Sequence, residues 1–191
     1  MKTKAVLFWL CMVCFGWLYQ SCDPVRSYSE IPEIHFKKLV FVDSIDHPTL
    51  GNLVKYAVLH FSFIDGDGNL GVAPWEKDKE GKPISGYGMS RIHYTWHQKL
   101  PDETYEPFEF ESGIISQSSE IPYNSVMDKS EAQNKTLKGT IEITLISPKN
   151  PQDADIMRVE FYIVDRAGNK SNIEYTPDFS IRSETGTEIK D

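Results

Sequence analysis

The chain has 191 residues, a formal charge of −8 and a pI near 5.1, with 40% apolar residues. That length suits one domain large enough to bury a real core. So acidic a chain lacks the basic footprint that phosphate backbones require, which makes nucleic acid a poor partner.

Lys2 and Lys4 open the chain, residues 5–19 are apolar around Gly16, and Gln20, Ser21 and Cys22 follow. A basic start, a short apolar run and a small residue at the cut are the parts of a secretory signal peptide. The run, about 15 residues, falls short of the roughly 20 that a membrane-spanning helix needs. With Cys22 just after the cut, the pattern resembles a bacterial lipoprotein signal, in which that cysteine becomes the lipidated first residue. Tyr19 stands where the usual motif has leucine, and the looser form found in Bacteroidetes is the better likeness. The resemblance implies a signal peptide over 1–21 and a membrane partner reached through the lipid. It also implies a place in the cell envelope, with the periplasmic side slightly favoured. Losing Lys2 and Lys4 makes the remainder still more acidic, and losing Cys11 and Cys14 leaves Cys22 alone. An internal disulfide and a cysteine-ligated zinc are thereby excluded.

Residues 22–33 read as lipidated cysteine and tether, and residues 34–182 as the domain. Residues 34–42 (IHFKKLVFV) form a mostly apolar run between Pro32 and Asp43. Residues 55–64 (KYAVLHFSFI) alternate, with Ala57, Leu59, Phe61 and Phe63 on one face. Residues 90–100 place Ile92, Tyr94 and Trp96 together, and residues 104–111 make a shorter edge strand weakened by Pro107. Residues 126–135 have room for one or two helical turns. Residues 137–146 (LKGTIEITLI) alternate again, and residues 156–164 and 171–181 form a closing hairpin. Residues 76–88 read as a long polar loop, and residues 183–191 as a frayed tail. Strands at turn-marked intervals predict an all-β antiparallel sandwich, immunoglobulin-like, with about seven to nine strands and at most one short helix.

The densest functional signal is DGDGNLG at 65–71, directly after a strong strand. Oxygen-bearing Asp65, Asp67 and Asn69 at alternate positions, with glycines between, resemble the first half of a calcium loop. An EF-hand is rejected, because Leu70 holds the place that needs glycine, Pro74 follows and no helices flank the loop. Two readings remain. A tight Asp-Gly turn ranks first, and a looser Ca2+ site second. A second aspartate loop, Asp165 to Asn169, follows the strand at 156–164. In a sandwich of immunoglobulin type both loops leave at the same end, which brings Asp165 to Asp65, Asp67 and Asn69.

The order of several segments also resembles a group of small Bacteroidetes lipoproteins of unassigned role. They are the signal cysteine, an early IPEIHF strand, FSFIDGDGNLG, an IPY segment before LKGTIEITL, and VDRAGNKSN. The likeness implies an immunoglobulin-like lipoprotein and carries no catalytic residues.

Other chemistry is not nominated. His93 and His97 lie four apart on a strand, about 13 Å, too far to share one metal. No G-x-S-x-G elbow exists, and no acidic pair stands out for glycosidase work. Trp75, Tyr87 and Trp96, with Tyr94 and Tyr105, are candidates for stacking on sugar rings. The expected function is therefore a monomeric, non-catalytic binding or scaffolding module. The alternative is a glycan-binding accessory protein of an outer-membrane uptake system, with a hydrolase behind it.

Overall fold

The computed structural model describes residues 28–45, 53–71, 79, 90–110, 113, 115–121, 136–145, 147, 156–180, 182 and 185–190. Cys22 and the signal segment, Trp75, Tyr87, the loop at 76–88 apart from Lys79, and the short helix expected at 126–135 lie outside the described residues. Ten strands and no helix occur among those described. They are β1 (Glu33–Ile45), β2 (Leu53–Asp65), β3 (Arg91–Lys99), β4 (Tyr105–Pro107), β5 (Ser116–Glu120), β6 (Leu137–Leu145), β7 (Ile156–Val164), β8 (Glu174–Tyr175), β9 (Phe179–Ser180) and β10 (Glu188–Lys190).

The strands form two antiparallel sheets. One runs β10-β1-β2-β6. In the other, β3 and β7 are central, β4 and β5 share the outer edge of β3, and β8 and β9 share that of β7. Alternation dictates which faces meet. Ala57, Leu59, Phe61 and Phe63 of β2 are buried, as are Ile92, Tyr94 and Trp96 of β3 and Met157, Val159, Phe161 and Ile163 of β7. Aromatic pairs join the layers: Phe61 meets Phe161 at 5.3 Å between centroids, and Phe41 meets Phe179 at 5.4 Å. The architecture is that of a β-sandwich with its core between the sheets.

In β1 the inward residues switch parity, from Ile34 and Phe36 to Leu39 and Phe41. A one-residue slip would turn half of them outward. The chain avoids this with a bulge at Lys37, where the register jumps from Phe36↔Phe61 to Lys38↔His60.

Two readings change. The expected tail is not frayed throughout, because Glu188–Lys190 forms β10 along the free edge of β1, with a Lys38–Glu188 ion pair at 2.8 Å. The expected strand at 171–181 is broken into β8 and β9, with Pro177, which has no amide hydrogen to donate, between them.

Candidate metal centre

Parity puts two aspartates where charge is least welcome. Asp65 ends β2 in step with inward-facing Phe61 and Phe63, and Asp165 follows β7 in step with Phe161 and Ile163. Each lies four residues beyond its member of the Phe61–Phe161 pair, so the facing strands deliver both acids to one pole. Asp65 is 0% and Asp165 2% exposed. One carboxylate oxygen each from Asp65, Asp67 and Asp165 lie within 4.8 Å of one another. Among the described residues no other set of three or more histidine, cysteine, aspartate or glutamate side chains converges in this way. The expected meeting of Asp65, Asp67 and Asp165 therefore occurs.

The two loops share a pattern, D-x-x-G-N. In each, the backbone amide of the asparagine donates to the carboxylate four residues earlier. Asn69 N donates to Asp65 Oδ2 at 2.9 Å, and Asn169 N to Asp165 Oδ1 at 2.8 Å. Gly68 (φ 69°) and Gly168 (φ 90°) occupy the left-handed turn that lets the chain double back. Arg166 links the loops by donating from Nε to the Asn69 carbonyl at 2.8 Å. Buried Ser90 holds the first loop's exit, its hydroxyl accepting from Gly71 N at 2.8 Å. Leu70, in the position that an EF-hand gives to glycine, is 2% exposed and plugs the core, which is why the loop departs from that motif.

Satisfaction separates the loops. Asp165 accepts from Asn169 on both oxygens, Nδ2 reaching Oδ2 at 2.8 Å. Asp65 Oδ1, Asp67 Oδ1 and Asn69 Oδ1 are enclosed and have no hydrogen-bond partner. Asn69 is itself spent on this group, since its Nδ2 donates to Asp67 Oδ2 at 2.6 Å. Burial foremost, and then the neighbouring Asp67 carboxylate, pushes Asp65 up to about 7, while the Asn69 amide opposes the shift. An orphaned buried acceptor costs about 1–3 kcal/mol, more when charged, so three together make this pole costly as it stands.

The segment that precedes β1 crosses this pole. Gly66 N donates to the Ser29 carbonyl at 2.9 Å, and a Cβ at Gly66 would stand 2.3 Å from that oxygen and 2.4 Å from the Tyr28 carbonyl. Lys138 Nζ sits 3.6 Å above the Tyr28 ring. Sequence reasoning missed this seat; its signal is Gly66, a glycine without a positive φ whose role is close approach.

The other candidates fare differently. Trp96 is 0% and Tyr94 2% exposed in the core, so neither offers a face to a sugar, which corrects their reading as stacking residues. His93 stacks on Tyr162 at 4.9 Å, and His97 lies 3.2 Å from Glu160; burial lowers both below the usual histidine range. On the outer face of β3 and β7, Tyr105 belongs to a cluster whose other members, Arg158 and Tyr175, were not among the expected site residues. The Arg158 guanidinium is sandwiched between Tyr105 (3.6 Å) and Tyr175 (4.5 Å). Tyr105 donates to Asp178 at 2.7 Å and Tyr175 to Glu160 at 3.0 Å.

No protein-family model, curated protein or solved structure matches the chain.

Proposed function

We propose that this is a lipid-anchored envelope protein of Bacteroidetes type, held through Cys22. Its immunoglobulin-like sandwich acts as a non-catalytic binding or scaffolding module. The strand order supports the immunoglobulin likeness. Strands β1, β2 and β6 stand as A, B and E, strands β3, β7 and β8 as C, F and G, and buried Trp96 lies on the C-equivalent strand.

The observation that carries the binding role is the Tyr105–Arg158–Tyr175 sandwich. Arg91 of β3 pairs with Val164 beside Asp165, whereas Lys99 pairs with Tyr105, so this cluster lies toward the end opposite the tether. A membrane-tethered domain presents that end to partners. Tyrosine and arginine are the residues that dominate binding hot spots, and here their rotamers are fixed in advance. Both rings already stack on Arg158, which favours a protein partner over a sugar.

Cys22→Ser is expected to move the protein from the membrane to the soluble fraction; retention of the variant in membranes would defeat the anchor. A photo-crosslinker at Tyr175 is expected to give a discrete protein adduct in intact cells, and one at Thr144 on the other sheet none. Equal or absent adducts at the two positions would defeat the binding surface.

A further inference from the structure

We propose that Asp65, Asp67, Asn69 and Asp165 form a calcium site that joins the two loops at the tethered pole. The inference stands apart from the anchored-binding reading, because it needs neither lipid nor partner. The acidic cluster alone would not carry it. The second observation is the fully buried Asp65, whose Oδ1 has no partner and whose carboxylate converges with those of Asp67 and Asp165 within 4.8 Å. Asp67 Oδ1 and Asn69 Oδ1 are enclosed and unpartnered on the same loop.

The donor set chooses the ion. Three carboxylates and an amide carbonyl are hard oxygen ligands, with no imidazole or thiolate to favour zinc or copper. Calcium takes six to eight oxygens in adaptable geometry and accepts carbonyl ligands, with water completing the shell. Magnesium demands a tight octahedron and keeps most of its own water, so it gains less from a multidentate cage. A divalent ion here would offset the repulsion among three acids and give each orphaned oxygen a partner. It would also connect the opposed sheets through β2 and β7. The rival arrangement is a proton shared between Asp65 and Asp67 with no metal at all.

The test uses the full-length protein in detergent, stripped with chelator and titrated calorimetrically with calcium or magnesium chloride, with thermal unfolding followed in parallel. One calcium per chain is expected, with a rise in Tm of several degrees at saturation and at least tenfold weaker magnesium binding. Asp67→Asn is expected to weaken calcium binding at least tenfold while leaving the Tm in chelator unchanged or higher. That second readout separates lost ligation from lost folding. Absence of stoichiometric binding at millimolar calcium, or unaltered affinity in Asp67→Asn, would overturn the site. Equal affinity for magnesium would overturn the assignment to calcium.

Discussion

The two D-x-x-G-N loops are near copies in sequence and in backbone hydrogen bonding, yet one is closed on itself and the other is left open. In the second loop Asn169 meets both oxygens of Asp165, and the third position is the exposed Ala167. In the first loop the third position is Asp67, which draws the Asn69 side chain to itself and leaves Asp65 Oδ1 with nothing. One added carboxylate turns a satisfied turn into one that leaves buried acceptors without a partner. The lesson is that a turn motif and an ion site differ less in fold than in how their acceptors are filled.

The largest expected effect concerns the buried charge. Asp65 titrates at about 7 when folded and near 3.8 when unfolded, so between these values the folded state holds a proton that the unfolded chain has released. Its contribution to stability is greatest below about pH 4, falls as pH rises and is fully lost above about pH 7, by about 4 kcal/mol at most. Asp65→Asn removes that titration. In chelator the variant is expected to match the wild type near pH 4 and exceed it at pH 8, as read by urea unfolding. A constant difference across pH would show that folding does not hold the Asp65 carboxyl above its unfolded value.

Next comes the position after each aspartate, Gly66 in one loop and Arg166 in the other. Gly66→Ala forces a methyl against the Tyr28 and Ser29 carbonyls, with an expected loss of about 2 kcal/mol. It should also speed proteolysis within residues 22–32. Unchanged cleavage would mean that the tether is not seated on the first loop. The smallest effect is expected from Ala167→Asp, which copies the acid of the first loop onto an exposed position of the second. Stability should move by no more than about 0.5 kcal/mol, and calorimetry should still count one calcium. A second equivalent would mean that the motif suffices without burial.

Much of this was legible in the chain. Alternation marked β2, β3 and β6, the apolar run marked β7, and from the sandwich topology expected of them followed the meeting of Asp65 and Asp165. The same alternation places Trp96 with Ile92 and Tyr94, which already marks it as core rather than platform. The rest had no local signal. Strand β5, SQSSE, has no apolar face of its own; it forms on the edge of β3, where Tyr94 donates to Gln117 at 2.8 Å. Strand β10 is three residues recruited by β1, with Ile189 packed against the core. The orphaned oxygens depend on which partners the asparagines choose, and spacing alone does not set that choice.

The seating of Tyr28 and Ser29 on Gly66 bears on how the domain would carry a load. If the proposed lipid at Cys22 and a partner at the opposite end were both engaged, a pull between them would enter β1 along its own axis. That strand lies between β10 and β2 and pairs with β2 from Glu33↔Ile64 to Ile45↔Leu53. Such a load would shear the whole ladder at once instead of unzipping it bond by bond. The crossing at Gly66, tied by the backbone hydrogen bond from Gly66 to Ser29, would be expected to give way before that ladder.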